Sequence, residues 1–266
     1  MTLRSAVLSL ALASIATTAF AADANSFALV SAAGKTLGKA SYTIDKTKDG
    51  YRVRSKFQYR LSAAEVQAAT DTTGDLPETG RRGGGAALGV EEAQYNAEYK
   101  ISAAGDFLTG YTNNGATQML TSYQPDKKGE ILTIGQIQAG VSGGSRDLPL
   151  PSPHFLLAPD YDPSALQILL TTALTHPHAD STYALVIPAG ANPRGRNNTL
   201  YVTLQPDLAI PAGGTLAGKP IVLKHYLLNY HDGHADLYAD ADGNLMEAEL
   251  GPISAKYIRN GFTLAP

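Results

Sequence analysis

Tyr51-Arg52-Val53-Arg54-Ser55-Lys56-Phe57-Gln58-Tyr59 decides the fold. Tyr51, Val53, Phe57 and Tyr59 fall on one side of an extended chain. Arg52, Arg54, Lys56 and Gln58 fall on the other. A strand with one dry and one wet face belongs in an antiparallel sheet, because a parallel sheet is covered on both sides. Asp49-Gly50 precedes it, a dipeptide that accepts positive φ and closes a hairpin. Tyr95–Ile101 repeats the alternation, and Lys39–Asp45, Phe107–Thr112, Thr117–Tyr123 and Glu130–Ile137 repeat it less cleanly.

Asn114-Gly115, Asp232-Gly233 and Asp242-Gly243 mark further hairpin turns. The strand series continues through Thr182–Ile187, Leu200–Gln205, Ile221–Tyr230, His234–Ala239, Leu245–Leu250 and Ile253–Arg259. Ile221–Leu228 is apolar on both faces, so something must cover its second side. The candidate cover is the one good helix, expected over about 163–175. Asp162 is its N-cap, Pro163 takes the first helical position, and Leu166, Leu169, Leu170 and Ala173 follow at i, i+3, i+4 and i+7. Ala139–Asp162, rich in Gly and Pro, reads as a link between the first strand set and this helix. Ser62–Ala93 starts helix-like and degrades into a Gly-rich insertion at about 70–90, expected to be mobile. No repeat of 20–50 residues is visible. The expectation is a mainly β fold: a strongly curved antiparallel meander or half-open barrel of about a dozen strands, one domain over 22–266, with one buried helix across the concave side.

The composition excludes several functions. The chain has 266 residues, 44% of them apolar, with no Cys and no Trp. A disulfide scaffold, thiolate metal sites and Cys nucleophiles are therefore absent. Twenty-one Lys and Arg against 24 Asp and Glu, with no basic run beyond a pair, leave nucleic acid without an electrostatic footing. The start reads as an export signal over 1–21: Arg4, a short apolar core over Ala6–Ala16, and Ala19-Phe20-Ala21 as the small-x-small cleavage pattern. That core is shorter than the ~20 residues of a membrane span. A periplasmic or secreted protein without an integral membrane segment is expected.

Asp160-Tyr161-Asp162-Pro163-Ser164-Ala165-Leu166, a helix start after a β-meander, and the ending Leu237–Leu250 around Asp242-Gly243-Asn244-Leu245 together resemble a bacterial periplasmic domain-of-unknown-function family. That family is similar in shape to the outer-membrane lipoprotein carriers, half-barrels that enclose acyl chains. The chain departs from it in lacking a Pro after Leu245 and in its Gly-rich insertion. The resemblance implies carriage of a hydrophobic ligand and no catalytic residue.

Other motifs have plain explanations. Gly140-Val141-Ser142-Gly143-Gly144 fits the serine-hydrolase elbow, but Pro149 and Pro151 follow where its helix would start. Asp240, Asp242, Gly243 and Glu249 fit part of a calcium loop whose first position is Tyr238, a poor ligand. His231, His234 and Asp236, like His176, His178 and Asp180, supply three groups each, short of a full zinc set. His225 and His154 have no assigned place. Glu247 and Glu249 lie about 7 Å apart on one strand face, as solvated carboxylates do, and Glu91-Glu92 is a second pair. No catalytic residue, metal or cofactor is assigned.

The remaining signal is aromatic. Phe57, Tyr59, Tyr95, Tyr99, Tyr111 and Tyr226, with Leu166 and Leu170 from the helix, are expected to line a concave cavity. The leading expectation is binding of a lipid-like or other apolar ligand there. The alternative is a non-enzymatic structural or assembly factor that binds another envelope protein; a metal-dependent or serine hydrolase ranks third. An interior filled by the chain's own side chains would favour the second.

Overall fold

The structure is a computed structural model; it describes residues 25–62, 91–115, 117–150, 155–157, 162–175, 182–187, 198–206, 212–230, 233–249 and 255–265. The leader-like segment 1–21 and the Gly-rich insertion at about 70–90 lie outside them.

Among the described residues, seventeen strands form one connected, mainly antiparallel sheet that curves without closing into a barrel. The first eight are β1 (Ser26–Val30), β2 (Thr36–Thr47), β3 (Gly50–Leu61), β4 (Glu91–Ser102), β5 (Phe107–Asn114), β6 (Met119–Pro125), β7 (Ile131–Gln138) and β8 (Val141–Pro149). They pair in chain order as a meander. β9 (Phe155–Leu157) is followed by the helix α1 (Pro163–Thr175), then β10 (Thr182–Ile187), β11 (Asn198–Pro206), β12 (Ala212–Leu216), β13 (Lys219–Tyr230), β14 (Gly233–Ala239), β15 (Leu245–Ala248), β16 (Lys256–Arg259) and β17 (Phe262–Leu264). β16 pairs with β1 and joins the two strand sets.

β9 and β10 pair in parallel. Parallel neighbours cannot be joined by a tight turn, so the chain between them must cross over, and α1 is that crossover. This places the helix on the concave face, against β2, β9 and β15. The curl of the sheet brings β9 close to β5, with the Phe107 and Phe155 rings 5.6 Å apart. The long strand β13 bonds β12 along its first half and β11 along its second. β12 and β17 thereby fold over the convex side, where Leu223, Met246 and Phe262 form a second small core. These two strands, and not the helix, cover the second apolar side of β13, because the helix packs into the main core on the opposite face.

Seventeen strands exceed the expected dozen for a physical reason. Ala139–Asp162 is not merely a link, because it contains β8 and β9. Val141–Pro149 has no hydrophobic alternation and is exposed along most of its length. It is a strand because β7 offers it a free ladder.

Candidate functional site

The concave face is built by alternation. Across β2–β6, Tyr42, Ser55, Ala97, Thr112 and Thr121 stand in one row. All five are buried. The adjacent row carries Val53, Tyr99, Gly110 and Tyr123. The inner surface is thus not wholly apolar; a polar stripe crosses it.

α1 lies on that stripe and uses it. Asp162 caps the helix by accepting the Ser164 backbone N–H at 2.9 Å on Oδ1. The same carboxylate accepts the Ser55 hydroxyl at 2.8 Å and the Tyr99 hydroxyl at 3.3 Å. One turn further, Gln167 Oε1 accepts from the Tyr42 hydroxyl at 3.0 Å and from the Leu245 backbone N–H at 2.8 Å. Its Nε2 donates to the Gly243 carbonyl at 2.9 Å. The helix is therefore clasped to β2–β4 at its start and to the β14–β15 turn in its middle. Gly110 makes room for this. A Cβ there would sit 2.6 Å from the Tyr99 ring, whose hydroxyl meets Asp162.

Burial raises the Asp162 carboxyl above its ordinary range, against the lowering effect of the Ser164, Ser55 and Tyr99 hydrogen bonds. A carboxyl that holds its proton more tightly when folded favours the fold most at low pH. That contribution is lost as pH rises through the folded value. Asp162→Asn keeps a good cap without the charge. We expect its denaturation midpoint to match the wild type near pH 4 and to exceed it increasingly toward neutrality. Parallel pH profiles would contradict this.

The eight aromatic and leucine residues expected to line a cavity divide. Phe57, Tyr59, Tyr99, Leu166, Leu170 and Tyr226 are all buried on the inner side in one core, and Tyr95 packs against it half-buried. They converge, but on one another. The space beneath the helix start, lined by Ser55, Tyr95, Tyr99, Thr112 and Asp162, has a volume of about 10 Å³. A second space, by Gly105 and Thr172 near the other end of α1, is also about 10 Å³. Each has room for a single water molecule at most.

Tyr111 corrects the expectation. It stands on the convex face, 42% exposed, opposite Glu98 and Ser122. Phe107 does face inward, but a bulge between Lys100 and Ile101 leaves Leu108 as the extra residue. Every residue after it changes face, so Gly110, Thr112 and Asn114 point in and Tyr111 points out.

The other candidate groups have structural roles. Asp240 closes its own turn, accepting the Asp242 and Asn244 backbone N–H groups and the Asn244 amide. It is thereby committed to the hairpin. Ser142 lies in β8 beside the β7–β8 hairpin, without the helix a nucleophile elbow needs. Glu247 is buried and pairs with Lys256 at 2.7 Å. Asp236 bonds His225 at 2.7 Å, and the His225 ring stacks on Tyr238. Burial and the neighbouring Asp236 raise the Glu249 carboxyl. His234 is exposed at the start of β14. His154, His176, His178, Asp180 and His231 lie outside the described residues. No cluster of three or more metal-ligating side chains occurs among the described residues. No helix among them is long and apolar enough to cross a membrane.

Sequence reasoning missed the convex side. A cavity of about 170 Å³ opens there on β2–β5, with Thr43, Arg54, Lys56, Asn96, Glu98 and Tyr111 in its walls. Next to it Leu120 and Ile137 sit directly opposite each other, 38% and 44% exposed. The polar faces of the alternating strands mark this side, and the bulge in β5 is what brings Tyr111 onto it.

The chain matches no family model, no curated protein and no solved structure.

Proposed function

We propose that this is a non-enzymatic cell-envelope protein, a structural or assembly factor that binds another protein through the convex face of β5–β7. One observation carries the reading: α1 fills the concave side with its own leucines, while the convex side presents the paired Leu120 and Ile137 beside Tyr111. Adjoining exposed apolar side chains on a sheet face mark an interaction surface more than scattered single ones do.

The face is favoured over the sheet edge. Among the described strands β8 pairs with β7 alone, so its other side is an edge. That edge is blunted against a foreign strand by a bulge, the positive φ of Gly144, the charges of Arg146 and Asp147, and Pro149. The leader-like start supports placing both partners in the envelope.

The test is a photo-crosslinking residue at position 120 in the producing cell. We expect one discrete protein adduct, lost in Ile137→Asp, and none from the same probe at Val222, which is exposed elsewhere. No adduct, or equal adducts from both positions, overturns the reading.

A second reading is carriage of a lipid-like or apolar ligand on the concave face. The convergence of Phe57, Tyr59, Tyr99, Leu166, Leu170 and Tyr226 on one enclosed core favours it. Among the described residues, the two spaces found beside α1 are far smaller than an acyl chain, so this reading requires α1 to yield its place. Acyl species retained in native mass spectrometry would put this reading first.

A further inference from the structure

The geometry points to a saccharide site on the convex face: the cavity of about 170 Å³ over β2–β5 takes one neutral sugar ring against Tyr111. This goes beyond the protein-binding reading and does not depend on it.

The cavity is shaped by side-chain length. Thr43 and Asn96 are short and stand low on β2 and β4. Arg54 and Lys56 on β3, Glu98 on β4 and Tyr111 on β5 are long and rise around them. The floor is therefore sheet backbone and short side chains, the sides are aliphatic stems, and one wall is a phenol ring. A pyranose has matching surfaces: an apolar face of C–H groups for the ring and a girdle of hydroxyls for the polar groups. The size also fits, since such a ring is about as large as this cavity and an acyl chain is much longer.

The charge pattern disfavours a phosphate. Three charged side chains line the cavity, Arg54, Lys56 and Glu98, and the first and last are already answered from outside it. Arg54 is paired with Asp45, and Glu98 with Arg52 at 2.8 Å. These pairs hold the guanidinium and the carboxylate in place as hydrogen-bonding groups while cancelling their net field. A phosphate would have to compete with Asp45 and Glu98 for the arginines; a neutral hydroxyl accepts and donates without breaking either pair.

The experiment is saturation-transfer NMR on the whole protein with glucose and N-acetylglucosamine as probes. Glucose 6-phosphate and inorganic phosphate serve as charged comparators. We expect transfer to the ring C–H protons of at least one neutral sugar. Tyr111→Ala should weaken binding by about five- to ten-fold through the lost apolar contact, and Tyr111→Phe should retain most of it. Asn96→Ala should also weaken it. Ile137→Ser, outside the cavity, should leave it unchanged, which separates this site from the protein-binding face. Circular dichroism verifies that each variant is folded. Absence of transfer to both neutral sugars, transfer unaffected by Tyr111→Ala, or binding of the phosphate-bearing probes alone would overturn the assignment.

Discussion

Leu170→Ala lowers the stability of the fold by about 3–5 kcal/mol, read as the shift of the urea midpoint at constant slope. Leu170 has no exposed surface, nor has its neighbour Leu169, and Leu166 is 2% exposed. The helix carrying them is held between the curved sheet and the β14–β15 turn. A leucine deleted from such a place leaves a hole that the walls cannot close, because the strands are tied to one another by their ladders. The lost transfer energy and the cavity term therefore add. The size of the effect also tests the function. If the concave side were a roomy ligand chamber, Leu170 would lie on a wall beside open space. Its truncation would then cost only the transfer part, roughly 2 kcal/mol. A loss that small would favour the carrier reading over the protein-binding one.

Gln167→Leu is the second large effect, with a loss of roughly 3–6 kcal/mol. Leucine matches glutamine in bulk, so the change isolates the hydrogen bonds. It strands three buried groups at once: the Tyr42 hydroxyl, the Leu245 N–H and the Gly243 carbonyl. Each costs about 1–3 kcal/mol when left unsatisfied, and relaxation of the turn recovers part of it. Thr171→Ala, which removes only a hydroxyl bonded to the Gln167 carbonyl and side chain, stays within about 1 kcal/mol. If Gln167→Leu proved as mild as Thr171→Ala, the clasp would not hold the helix, and a displaceable α1 would become the better description.

The two predictions turn on the same contrast. Tyr42, Tyr99 and Tyr123 carry buried rings with inward hydroxyls. Read from the sequence, Tyr99 is expected to line an apolar cavity. In the fold two of them serve the helix. Tyr42 reaches Gln167, Tyr99 reaches Asp162, and Tyr123 meets Thr112 across the polar stripe. Burial pushes the Tyr42 phenol far up, so it remains a neutral donor at any ordinary pH. A carboxylate and four or five polar groups in the middle of the inner face are poor company for an acyl chain. They are well suited to fixing one helix in one position.

Periodicity read the fold well where alternation is strong. β3 and β4 carry it through nearly their whole length, and their inward set includes Val53, Phe57, Ala97 and Tyr99 as the pattern requires. It read poorly where an element exists because of its neighbour. Val141–Pro149 is polar and Gly-rich and extends along β7. Phe155–Leu157 is three residues long and pairs in parallel with β10, which lies beyond the helix. Neither has enough local signal to stand out. Tyr111 shows a third kind of failure, in which the residue type is correctly placed in a strand and the face is reversed by one bulged residue upstream.

By itself the amino-acid order determined that strands dominate, that they run antiparallel through Asp-Gly and Asn-Gly turns, and that one apolar helix starts at Asp162-Pro163. These are local matters, settled by side-chain period and by which residues tolerate a turn. Only the tertiary structure decided that, among the described residues, this helix packs its leucines into the concave side and Tyr111 stands on the convex side. Those outcomes depend on pairings between residues more than a hundred positions apart, Tyr42 with Gln167 and Ser55 with Asp162, and on a bulge that switches faces. No period in the chain encodes them.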